Sequence, residues 1–139
     1  MILLDTNVVI HGTDPSSPHH NWAWEVIVDA VTGEGGAINA VSLAEICVGD
    51  EEPATVADRI RSWGVEILDV PAAAAEACSR AYVAYRGRRR AESGHDSPRL
   101  PLPDFFIGAH AQIMGWPLAT ADSRRFATYF PDVVLRMPA

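Results

Sequence analysis

Four carboxylates have the type and setting to do chemistry together: Asp5, Glu45, Asp104 and Asp122. Asp5 ends the apolar run ILL, Glu45 sits in AVSLAEICVG, Asp104 opens DFFIGAHAQIM, and Asp122 follows PLATA. Carboxylates gathered in one crevice repel each other, and some rise in pKa unless a cation neutralises them. An oxygen-only ligand set suits Mg²⁺ or Mn²⁺ rather than zinc. A cation so held polarises a phosphate, activates a water and steadies a leaving oxygen, which is the chemistry of phosphodiester hydrolysis.

Each acid also has an ordinary local explanation. Asp5 fits a turn aspartate accepting backbone N–H bonds. Ser42-Leu43-Ala44-Glu45 has the pattern of a capping box, so Glu45 is accounted for by structure at least as well as by chemistry. Asp104 and Asp122 both suit helix starts, where the dipole favours negative charge. Only the joint arrangement lifts the functional reading.

Other chemistries are absent or weak. The chain contains no lysine, which removes a P-loop lysine and a Schiff-base lysine. No GxSxG elbow is present for a serine hydrolase. His11, His19, His20 and His95 fall in polar or helix-start settings without zinc spacing, and His110, inside an apolar helix, reads as a hydrogen-bonded core histidine. Cys47 and Cys78 are the only cysteines, too few for a disulfide framework, and read as buried free thiols.

The elements that must position the acids follow from periodicity. Ile2 to Leu4 is too short for a helix and reads as a buried strand. A helix is expected from His19 to Thr32 with Trp24, Ile27, Val28 and Val31 on one face; Trp22 lies off that stripe. A strand over Ala37–Val41 leads to the helix carrying Glu45, and Pro53 begins another helix. A third strand over Val65–Val70 precedes a long helix opened by Pro71, with Ala75, Cys78, Tyr82 and Tyr85 as its stripe. A polar loop over Ser93–Pro103 is followed by the Asp104 helix to Met114, a strand over Pro117–Thr120, a helix over Ser123–Phe130 and an edge strand over Val133–Leu135. Strands alternating with helices indicate α/β architecture on a mostly parallel sheet, whose strand carboxyl ends line the ligand crevice.

The 139 residues fit one domain, 1–139, and neither a membrane-length apolar run nor a signal-peptide start is present, so the cytoplasm is the expected location. The formal net charge of −7 is unfavourable for a nucleic-acid partner, yet Arg80, Arg86, Arg88, Arg89, Arg90 and Arg99 cluster. The run from Arg86 to Arg90 reads first as a solvated helix end, and secondly as a phosphate contact.

Taken in order, ILLDTNVVI, AVSLAEICVG, LPDFFIGAHA and LATADSRRF resemble the PIN-domain family over the full length, and within it the VapC-type toxins of bacterial toxin–antitoxin pairs. The resemblance implies a three-layer α/β/α sandwich and a Mg²⁺- or Mn²⁺-dependent endoribonuclease using a metal-activated water. It implies that Asp5, Glu45, Asp104 and Asp122 are the acidic quartet, with Asp5, Asp104 and Asp122 on the metal and Glu45 there directly or through a water. Thr6, Asn7 and Thr120 match its supporting polar residues, and Arg86, Arg88, Arg89 and Arg90 are candidates for RNA contact. An RNA substrate, a small antitoxin protein and a homodimer are the implied partners, with no membrane. Two rival readings stand beside this one: a non-catalytic protein- or RNA-binding module, and a nuclease of the same kind acting on DNA.

Overall fold

The computed structural model describes residues 1–93 and 102–139. The chain opens with β1 (Ile2–Leu4), and Asp5 caps α1 (Thr6–Thr13). Next come α2 (His20–Thr32), β2 (Gly36–Asn39), α3 (Ala40–Val48), a 3-10 turn (Pro53–Thr55) running into α4 (Val56–Ser62), and β3 (Glu66–Leu68). The second half holds α5 (Ala74–Ser93), α6 (Leu102–Met114), β4 (Leu118–Ala119), α7 (Ser123–Tyr129) and β5 (Leu135–Arg136).

The sheet order is β3-β2-β1-β4-β5, and every pairing is parallel. Parallel neighbours need crossover connections, and here helices supply them. From β1 the chain steps outward to β2 and β3, then returns to add β4 and β5 on the other side. The reversal leaves a switch point between β1 and β4, where a crevice opens at the strands' carboxyl ends.

Side chains alternate across each strand, and both faces are apolar. Leu3, Ala37 and Leu118 pack with Cys78, Phe105, Ile107 and Phe126 beneath α5, α6 and α7. Leu4, Ile38 and Ala119 face the other way, against Val8, Val26, Ile27 and Ile60 from α1, α2 and α4. All six strand residues are 0% exposed, so the architecture is a three-layer α/β/α sandwich. Full burial of each such leucine contributes about 1.5–3 kcal/mol. Gly108 lets α6 lie close to the Phe130 ring just beyond α7, because a Cβ there would collide with it. Gly115 ends α6 with φ +67, a left-handed conformation that suits glycine.

Several local expectations change. The helix carrying Glu45 starts at Ala40, not Ser42, because Asn39 is its cap: the Asn39 Oδ1 accepts the Ser42 N–H at 3.0 Å. The capping box therefore does not form, and the buried Ser42 Oγ has no hydrogen-bond partner among the described residues. Val28 is 50% exposed, so α2 buries Ala23, Val26, Ile27 and Ala30 instead. Pro71 lies in the turn before α5, where its carbonyl accepts the Ala74 N–H at 2.9 Å. The helix itself buries Ala74, Ala77, Cys78, Ala81 and Tyr85, while Ala75 is exposed. Trp22 packs partly into the core beside His19, and the Trp24 indole donates to the Gly12 carbonyl at 2.6 Å. Cys78 is buried as expected, whereas Cys47 is only half-buried; both are free thiols. The expected loop over 93–103 falls largely outside the described residues, with His95 and Arg99; Leu102 and Pro103 belong to α6. Among the described residues no helix is long and apolar enough to cross a membrane.

Candidate active site

The carboxyl ends of β1, β2 and β4 carry Asp5, Asn39 and Thr120, and all three are buried. Asp5 is 6% exposed, an expensive place for a carboxylate unless it is hydrogen-bonded. One oxygen, Oδ1, accepts the Thr6 N–H at 2.8 Å and so caps α1. The other, Oδ2, accepts the Thr120 hydroxyl at 2.8 Å, a bond that bridges β1 and β4 across the switch point. The local turn explanation of Asp5 accounts for the first contact. It does not account for the second.

Thr120 in turn accepts the Asp122 N–H at 3.0 Å and the Asn7 amide at 3.3 Å. Asn7 completes a clamp by accepting the Ala121 N–H at 3.1 Å through its Oδ1. Asp122 occupies the cap position of α7, but its carboxylate makes no capping bond there. On the other side of Asp5, the Thr6 hydroxyl donates to Glu45 Oε1 at 2.7 Å, joining α1 to α3. Glu45 is thus tied to the Asp5 neighbourhood rather than to the start of its own helix.

Asp104 is the third residue of α6, half-buried, beside a small hollow lined by Phe105, Phe126 and Phe130. Its position in the first turn suits the helix dipole without making it the cap. The helix that carries it, α6, packs on α3, the helix that carries Glu45. The hydrogen-bonded group therefore holds Asp5, Thr6, Asn7, Glu45 and Thr120 by their side chains and Asp122 by its backbone N–H, while Asp104 is carried on α6. Among the described residues no three His, Cys, Asp or Glu side chains form a ready-made ligand cluster. The donors available are carboxylate and hydroxyl oxygens, the set that fits a hard divalent cation.

Two further polar residues are buried between the end of β2 and α6. Asn39 and His110 are 0% and 1% exposed, and the Asn39 Nδ2 lies 3.2 Å from the His110 Nδ1. Burial pushes the His110 pKa down, which keeps the ring neutral. His110 is a hydrogen-bonded core histidine, as its sequence setting implies. Asn39 is the residue that sequence reasoning passed over. An asparagine directly before AVSLAE is a preferred helix cap, and that was the available signal. His11 pairs with the Ser17 hydroxyl at 2.7 Å, and its pKa is lowered by burial and then by His19.

Arg86 and Arg90, one turn apart on α5, line an open groove of about 260 Å³ with Val83 and Gly87. Arg88 is exposed and Arg89 half-buried on the same helix.

The family model for the PIN domain matches residues 2–130. The chain belongs to the PIN domain family. No curated protein sequence matches it. Among solved structures, this PIN domain is similar to a VapBC2 chain from Rickettsia felis, crystallised with a promoter DNA fragment, at 21% identity and TM-score 0.67, with 100% of both chains covered. A toxin–antitoxin complex from Klebsiella pneumoniae gives 23% identity and TM-score 0.64 over 96% of each chain. VapC20 of Mycobacterium tuberculosis, a toxin that cleaves the sarcin–ricin loop, gives 16% identity and TM-score 0.63, covering 92% of this chain and 95% of that one. At these identities the likeness establishes the fold.

Proposed function

We propose that this PIN domain, residues 1–139, is a Mg²⁺- or Mn²⁺-dependent endoribonuclease and the toxin of a toxin–antitoxin pair. The observation that carries the reading is the buried Asp5, held between the Thr6 N–H and the Thr120 hydroxyl at the β1–β4 switch point and linked through Thr6 to Glu45. A carboxylate held by hydrogen bonds on both oxygens, with Glu45 tied to the adjacent Thr6, supplies oriented oxygen donors of the kind a hard divalent cation takes. Asp5, Asp104 and Asp122 would hold the cation, with Glu45 directly or through a water. When bound, the cation would supply Lewis acidity toward the phosphate and an activated water.

The chain's own residues set the geometry. Thr120 fixes the rotation of Asp5, and the Thr6 hydroxyl holds one oxygen of Glu45. Asn7 ties the start of α1 to Thr120 and Ala121, which holds the segment before Asp122 in place. Arg86 and Arg90 in the α5 groove, with Arg88 and Arg89 on the same helix, would hold RNA phosphates. The similarity to the Klebsiella toxin–antitoxin complex and to VapC20, the toxin that cleaves the sarcin–ricin loop, supports an antitoxin partner and an RNA substrate. A homodimer and a cytoplasmic location belong to the same reading.

Thermal unfolding with added Mn²⁺ tests the cation. The native chain should gain stability by linkage, about 2.7 kcal/mol at a hundredfold excess over Kd, and Asp104→Asn should lose that gain. An intact fold with no response to Mn²⁺ would favour a binding module. For the arginines, Arg86→Glu with Arg90→Glu should weaken RNA binding and flatten its salt dependence, the slope falling by about one for each phosphate no longer held. An unchanged salt slope would remove them from the RNA path.

A further inference from the structure

Asn39 and His110 are fully buried polar side chains bonded to each other where the start of α3 meets α6, and an apolar pair would seal their interface equally well. Their chemistry is one of direction. The Asn39 Oδ1 accepts the Ser42 N–H at 3.0 Å, so the amide oxygen is committed to the start of α3. The Nδ2 is thereby turned to His110, whose Nδ1 accepts at 3.2 Å, and the ring proton must sit on Nε2. Trp116 lies against the same ring, with centroids 5.7 Å apart at 40°, which restricts its rotation.

We propose that the Asn39–His110 hydrogen bond is the positioning device that sets α3 against α6, and with them the placement of Glu45 relative to Asp104. The inference rests on reading those acids as the cation-holding group. Glu45 lies six residues beyond Asn39 on α3, and Asp104 six residues before His110 on α6. Six helical residues are about 9 Å of rise, so each acid is within two turns of the lock. α3 also packs on α1, which Asp5 caps and whose first residue, Thr6, holds Glu45, so a slip of α3 would shift Glu45 relative to α1 as well as α6. Packing alone fixes the distance between helices. A directed bond to a ring held by Trp116 also fixes their rotation and register.

Two variants break the bond with little change elsewhere. Asn39→Ser keeps a capping oxygen for α3 but has no donor that reaches His110. His110→Phe keeps the ring's bulk and removes the acceptor, whereas His110→Gln offers an acceptor again. Spin labels at Ala44→Cys on α3 and Gln112→Cys on α6 report the helix spacing once Cys47→Ser and Cys78→Ala remove the native thiols; both label sites are exposed. The expected result is a narrow distance distribution in the parent, broadened by Asn39→Ser and by His110→Phe and narrowed again by His110→Gln. On the same backgrounds without labels, calorimetric Mn²⁺ affinity should fall about tenfold in the first two variants and recover in the third. Distributions that match the parent in every variant would overturn the proposal. So would lowered melting temperatures with unchanged Mn²⁺ affinity, the mark of a merely structural pair. A parent that takes up no Mn²⁺ would refute the metal reading of the acids, and the label distances alone would then decide the lock.

Discussion

Thr120→Val removes one hydroxyl and keeps the shape of the side chain. Thr120 is 0% exposed, so no water replaces the missing group. The bond it makes to Asp5 Oδ2, at 2.8 Å, is charge-assisted, and such bonds contribute about 1.5–3 kcal/mol. The Asp122 N–H and the Asn7 amide also lose their acceptor, but both residues are half-buried and water can reach part of that deficit. The extra buried methyl offsets about 0.8 kcal/mol. The net expectation is a destabilisation of about 2 kcal/mol, or roughly 8 °C in Tm for a domain of this size. Thr120→Ser restores the hydroxyl and should lose only the methyl, about 1 kcal/mol. Paired melts of the two variants give the comparison, and Mn²⁺ calorimetry gives the functional half, with affinity falling about tenfold in the valine variant alone. Were the valine variant as stable as the serine one, with equal Mn²⁺ affinity, the hydroxyl bridge would not be what orients Asp5.

Ser42→Ala should be neutral or stabilising by about 1 kcal/mol, because it deletes a buried hydroxyl with no partner among the described residues; a loss of more than about 1 kcal/mol in denaturant titration would show that the hydroxyl is bonded. Gly108→Ala should destabilise by about 1–3 kcal/mol in the same assay although alanine is the better helix former, since its Cβ meets the Phe130 ring; a gain in stability would mean that the Phe130 ring yields easily. Burial lowers the His110 pKa, so the unfolded chain binds that proton first, near pH 6.5. Stability should therefore hold above pH 6.5 and decline as pH falls through the lower folded value. His110→Gln should flatten part of that decline, with His11 supplying another part, and an unaltered acid slope in the variant would contradict the assignment.

The apolar runs carried most of the architecture. Ile2–Leu4 and the residues around Ile38 and Leu118 are largely buried on both faces, so they announce themselves as central strands without alternation. Helix boundaries were harder, because Asn39 and Ser42 both offer a capping oxygen and only the tertiary position of β2 selects Asn39. That choice reversed the standing of Glu45, whose local explanation vanished once Thr6 proved to be its partner. Val28 and Ala75 are exposed for a related reason: helical spacing defines a face, but the neighbouring element decides which face is covered. The four acids could be proposed as a group from their strand-end and helix-start settings. Their connections could not, since the Asp5–Thr120 and Asn39–His110 bonds join segments far apart in the chain.

The central claim is that these acids hold a cation that cuts RNA. Its most direct measurement is cleavage of a mixed pool of structured and single-stranded RNAs by the antitoxin-free protein, with Mg²⁺, Mn²⁺ or EDTA, beside a folded Asp5→Asn variant. Cutting with either ion, none with EDTA, and a loss of at least about a hundredfold in the variant are the expected results. Cutting that persists in EDTA, or that survives Asp5→Asn at full rate, would contradict the account.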